Sequence, residues 1–122
     1  MQRSFTKQIA PHIDVELANA KLARAAGEVD QEFTYLERAH VLGQESTYWH
    51  VKVHGLMLAW AIRNGSAAEA SGQAIRIVGA ATKTMFGLVP QGNTGGANVS
   101  PFRKMPIAPE LAALIAKAKS GV

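Results

Sequence analysis

Hydrophobic positions along this chain recur at three- and four-residue intervals, the period of a helix turned toward a core. The pattern is densest between Leu36 and Asn64. Phe33, Leu36 and His40 fall at i, i+3 and i+7 and share a face, while Gln31, Thr34 and Arg38 point elsewhere. Gly43 suits a left-handed cap at the end of that helix, and Ser46 or Thr47 can cap the next. The next helix is expected from Tyr48 to Arg63. Val51, Leu58 and Ile62 make one apolar row, and His50, His54, Met57 and Ala61 make a second. Only Lys52, Leu56, Ala59 and Arg63 form a strip fit for water, so this helix reads as central and buried. Asn64-Gly65 ends it.

The remaining elements follow from caps and breakers. Residues 1–12 read as a lead-in punctuated by Pro11. Asp14 caps a first helix to Ala26, with Val15, Leu17, Leu22 and Ala25 as its apolar surface. Gly27 stops it, and Asp30 caps a second helix to Leu42. Ser66 caps a fourth, Ala67 to Ala81, with Ala70, Ala74, Ile77, Val78 and Ala81 as its stripe; Gly72 and Gly79 weaken it relative to alanine or instead permit close packing against a neighbouring helix. Thr82 to Pro106 is rich in Gly, Asn, Ser, Thr and Pro and has no regular period. Met85, Phe86, Leu88, Val89, Val99, Phe102 and Met105 recur through it, as in a loop pinned onto helices rather than a free linker. Pro109 opens a closing helix to Lys119, with Leu111, Leu114, Ile115 and Ala118 inward and Gly121 following.

The expected fold is therefore all-α and a single domain. Two antiparallel helix hairpins span 14–82, an ordered loop 83–107, and a closing carboxy-terminal helix 108–119. Gly27 and Gly65 each separate a helix from a shorter partner, which suggests a repeated unit. That unit resembles the tetratricopeptide hairpin, at a spacing somewhat longer than its period of about 34 residues. The resemblance implies that Gly27 and Gly65 are inter-helix glycines and that Ala39 and Ala70 are small packing residues.

Composition narrows the chemistry. A length of 122 residues supports one modest core. Cysteine is absent, which excludes disulfides, thiolate metal sites and a cysteine nucleophile. No signal-like amino-terminal run and no apolar stretch of about 20 residues is present, so a cytoplasmic location and no membrane partner are expected. The net charge is +4, but the basic residues are scattered without a run of five or aromatic interleaving. Such charge solvates a surface rather than marking a sequence-specific nucleic-acid face.

Two stretches carry candidate chemistry. His50 and His54 stand at i, i+4, and His40 lies just before the turn that precedes them. Glu37 precedes His40 by three residues. Glu37, His40, His50 and His54 thus offer oxygen and nitrogen donors of the kind zinc, copper or nickel accept. The plainer reading makes each histidine a hydrogen-bonded core residue. The second stretch is the glycine-rich loop, with Gly92, Asn93, Thr94, Gly95, Gly96, Asn98 and Arg103 as candidate contacts to a ligand or partner. Its glycine spacing is not that of a P-loop or a dinucleotide fingerprint. Its plainer reading is a set of tight turns with positive φ.

The motifs LERAHVLGQ (Leu36–Gln44), HVKVH (His50–His54) and GAATKT…GLVPQGNTGGANVSPF…MPI (Gly79–Ile107) resemble a small bacterial family catalogued as domain of unknown function 3703. The resemblance covers about Leu17 to Leu114 and implies no activity. Three readings follow. The first is a binding module that meets a protein partner or a second copy, with the loop in its recognition surface; an exposed apolar groove would speak for it. The second is a transition-metal protein using the Glu/His cluster. The third is an enzyme with a histidine general base between the cluster and the loop.

Overall fold

The computed structural model of the chain describes residues 2–85, 92–97, 99 and 103–121. Among the described residues there are five α-helices and no strand. They are α1 (Gln2–Ala25), α2 (Val29–Gly43), α3 (Thr47–Arg63), α4 (Ala67–Met85) and α5 (Pro109–Ser120). The all-α class stands. Helix α1 packs along α2, α3 along α4, α2 against α3, and α5 against α1 and α2. Consecutive helices joined by such short turns run antiparallel, so α1 and α3 point the same way.

The two turns of the suspected repeat are alike. Gly27 and Gly65 have φ of 74° and 69°. After α1, Gly27 N–H donates to Arg24 O and Glu28 N–H to Ala23 O. After α3, Gly65 N–H donates to Ile62 O and Ser66 N–H to Ala61 O. Each turn is the same Schellman closure, with glycine in the left-handed position after the helix.

The amino-terminal expectation needs correcting. Residues 2–12 are not a lead-in: α1 begins at Gln2 and runs straight through Pro11. Asp14 and His12 are therefore mid-helix, not cap and loop. A proline inside a helix costs about 3 kcal/mol. Burial offsets it, because Phe5, Ile9, Ile13, Ala20 and Ala23 form a continuous inward row at helical spacing. Val15 and Leu22, assigned to that face from sequence, are 58% and 69% exposed.

Helix α3 is central, as expected, but its inward face is Trp49, His50, Val53, His54, Met57 and Ala61. Ser46 caps it, accepting from Trp49 N–H. Trp49 is buried and donates from Nε1 to Thr6 O at 3.1 Å. Tyr48 beside it is exposed. Helix α5 buries Leu111, Ile115 and Ala118, and Gly121 closes it in the left-handed conformation. Arg38 ties three helices together through Glu16 on α1 (2.9 Å) and Glu110 on α5 (3.3 Å).

Gly43 plays a different part from the one its position suggested. It is the last residue of α2, its φ is not positive, and Gln44 beyond it is right-handed at φ −64°. A Cβ there would lie 2.7 Å from Trp49 Cβ and 2.9 Å from Ile13 Cδ1. The glycine lets three helices close on one point. Gly43→Ala is expected to cost about 1–3 kcal/mol by overpacking, read as a lower urea midpoint with an unchanged slope.

Candidate metal centre

His40 near the end of α2 and His50 and His54 in the first turns of α3 face one another across the short α2–α3 turn. They are 3%, 5% and 2% exposed. Their ring centroids are 4.7–5.0 Å apart. One ligand-capable nitrogen from each lies within 4.8 Å of the others. Sequence spacing foresaw this cluster. It did not foresee what surrounds it.

The glycine-rich loop folds back over the rings. Asn93 O accepts from His40 Nδ1–H at 2.6 Å. Asn93 is itself buried: its Oδ1 accepts from Gly95 N–H at 2.9 Å and its Nδ2 donates to Arg103 O at 2.8 Å. Gly95 has φ of 86°, and a Cβ there would fall 2.6–2.8 Å from atoms of the His40 ring. Gly92, at φ 79°, is tighter still, its missing Cβ position overlapping Met105 O. At these two positions only glycine gives both the left-handed backbone and the clearance. The two stretches singled out in the sequence are thus one site. Thr94 is half-buried, and Gly96 is buried beside it. Arg103 exposes its side chain and contributes only its carbonyl. Phe86, Leu88, Val89, Asn98 and Phe102 lie outside the described residues.

Helix α4 supplies what the sequence reading missed. Gln73, fully buried, places Oε1 at 2.5 Å from His54 Nδ1. Gln73 Nε2 sits between two acceptors, Glu69 Oε2 at 2.5 Å and Gly95 O at 2.8 Å. Glu69 accepts in turn from Ala97 N–H at 2.9 and 3.1 Å. The expected stripe of α4 was Ala70, Ala74, Ile77, Val78 and Ala81. Of these Ala74 and Val78 are exposed, Ala70 and Ile77 are half-buried, and the side chain of Ala81 lies outside the described residues, while Gln73 and Ala80 are buried. The inward row is polar because it serves the loop and the ring. The signal available was Ser66-x-x-Glu69, a capping box. Ser66 does cap Glu69 N–H, but the carboxylate turns to the loop rather than back to Ser66. Gly72 allows this approach, since a Cβ there would meet Ala97 Cβ at 2.5 Å.

Glu37, the fourth candidate ligand, is not in the cluster. It is half-buried and lines a small cavity of about 220 Å³ with Thr94 and Ile107. Burial, with Glu69 adding repulsion, raises its pKa above the usual carboxylate value.

The proton positions follow from the network. His40 Nδ1 faces a carbonyl, so it must donate. Gln73 Nε2 faces a carboxylate and a carbonyl, so it donates and Gln73 Oε1 accepts from His54 Nδ1–H. In its neutral form each ring therefore carries its lone pair on Nε2. Those two Nε2 atoms are 3.1 Å apart. Facing lone pairs repel, and a positive centre between them, a proton or a metal ion, removes the repulsion. A proton is disfavoured on His40: burial, then the neighbouring His54 and His50, holds its pKa well below the imidazole range.

That shift fixes a pH dependence. An unfolded histidine titrates near 6.5, whereas His40 in the fold stays neutral well below that. Below about pH 6.5 the unfolded state binds more protons, so stability rises with pH and is lost on acidification. The metal-free protein is expected to lose up to about 1.4 kcal/mol per pH unit from His40 below that point. Urea unfolding at pH 7.5 and 5.5 measures it.

A family model described as a protein of unknown function (DUF3703) matches residues 7–115. The chain belongs to this family. The match runs from within α1 to within α5 and includes His40, His50, His54 and the described loop. No curated protein matches the chain. No solved structure matches it either.

Proposed function

We propose that this family member binds one transition-metal ion, zinc in the first instance with copper(II) or nickel as competitors, between His40, His50 and His54. The observation that carries the proposal is the facing pair of Nε2 atoms, 3.1 Å apart, with both Nδ1 atoms already engaged as donors. Zinc–nitrogen bonds of about 2.0–2.1 Å at a tetrahedral angle separate neighbouring donors by about 3.3–3.4 Å. The pair therefore needs little movement, and His50 supplies the third nitrogen. A backbone carbonyl on one ring and a buried amide on the other are the partners that orient metal-bound imidazoles.

The same contacts couple the ion to the loop. Asn93 O accepts from the His40 ring and Gly95 O from Gln73, so the loop is anchored on the groups that surround the site. An ion that fixes the rings thereby fixes the loop. This favours a binding protein whose loop reports occupancy. The polar groups of Asn93 and the N–H of Ala97 are spent inside the molecule, which argues against a loop that cradles an external anion.

Calorimetric titration of chelator-stripped protein with zinc, copper(II) and nickel tests the reading. One-to-one binding at micromolar affinity or tighter supports it, and absence of heat contradicts it. Gln73→Leu keeps volume but removes the amide that orients His54. It is expected to weaken zinc binding about 10- to 100-fold while far-ultraviolet dichroism stays unchanged.

A further inference from the structure

A second concave site lies between α1 and α3, floored by Leu36 of α2 one turn before His40. It is an open groove of about 510 Å³, within the usual size of small-molecule sites. Its floor is hydrocarbon, built around Leu17, Leu36 and Leu56 with alanines between them. Its two ends differ in charge. Because α1 and α3 are parallel, Lys21 and Arg24 lie at the same end as Arg63. Arg63 is neutralised by a two-pronged pair with the buried Glu32 at 2.8 and 3.2 Å. Lys21 and Arg24 are exposed and form no ion pair among the described residues. At the other end Asp14 and Lys52 bring one charge of each sign, and Lys52 Nζ rests over the Tyr48 and Trp49 rings.

We infer that this groove binds an amphiphilic organic anion, a medium-chain carboxylate, with its head at Lys21 and Arg24 and its chain along Leu17, Leu36 and Leu56. Charge complementarity selects the head. The distance from Asp14 to Arg24 along α1, about 15 Å, suits decanoate or dodecanoate. A peptide fits less well. Its backbone needs hydrogen-bond partners along its whole buried length, and between its charged residues the groove offers only leucine and alanine side chains. The inference is independent of the metal site, since no histidine lines the groove.

The test is titration of the full chain with monomeric dodecanoate, followed by calorimetry and tryptophan fluorescence. The variants are K21E/R24E, which reverses the head-binding charge, and A59F, which fills the groove at an exposed position. Unchanged helicity and urea midpoint show that both remain folded. One-to-one binding, weakened at least about tenfold in both variants and absent for dodecyltrimethylammonium, is the expected result. No saturable binding, equal binding of the cationic detergent, or indifference to both variants overturns the inference. So does tighter binding of an acidic leucine-rich peptide, or binding only to phosphatidylglycerol vesicles.

Discussion

His54→Ala is expected to weaken zinc binding by at least about a hundredfold, since losing an orienting partner alone costs 10- to 100-fold and this change removes a ligand. The ring of His54 is shared between two jobs. Its Nε2 faces His40 Nε2 at 3.1 Å, and its Nδ1 donates to Gln73. Removing it leaves His40 and His50 alone, too few for a closed zinc site. It also strands Gln73 Oε1 in a buried place, which costs about 1–3 kcal/mol of stability. The two effects separate experimentally. Calorimetry reads the affinity of whatever is folded, and urea unfolding without metal reads the stability. Unchanged affinity in His54→Ala would return the three rings to the core as plain packing residues.

The second large effect concerns the loop. Gly95→Ala is expected to destabilise the protein by about 2–5 kcal/mol, combining a left-handed backbone penalty with overpacking against a ring. The added Cβ would meet His40 Cδ2 at 2.6 Å, Cγ at 2.7 Å and Nε2 at 2.8 Å. His40 cannot retreat without releasing Asn93 O and the other two rings. The natural control is Gly27→Ala. Gly27 has a similar φ of 74° but nothing within 4 Å of the added atom. It should cost only the backbone penalty, about 1–2 kcal/mol. Equal losses at the two positions would mean that the loop does not press on His40. The Gly95 variant should also bind zinc more weakly, because His40 is the ring displaced.

The sequence made some of this legible and hid the rest, for physical reasons. His50 and His54 declared themselves by helical spacing, and His40 by its place before a short turn. Gly27 and Gly65 marked two like turns because a Schellman closure needs a left-handed residue. Pro11 misled, since its local cost looked decisive. The row of Phe5, Ile9 and Ile13 repays it only once α2 and α5 are in place. Gly43 and Gly95 could not be sorted from sequence, because one serves a close helix contact and the other a ring. Helix α4 was read backwards. Its apolar residues seemed to define the core, but Glu69 and Gln73 face inward to hold the loop and His54. A polar inward face is invisible to hydrophobic periodicity, and its partners sit more than twenty residues away along the loop.

The most direct test of the metal centre is X-ray absorption at the zinc edge on protein loaded with one equivalent. The proposal predicts coordination by three imidazole nitrogens at about 2.0–2.1 Å, reduced to two in His54→Ala. A shell made mainly of oxygens, or a spectrum that the His54 change leaves untouched, would contradict it.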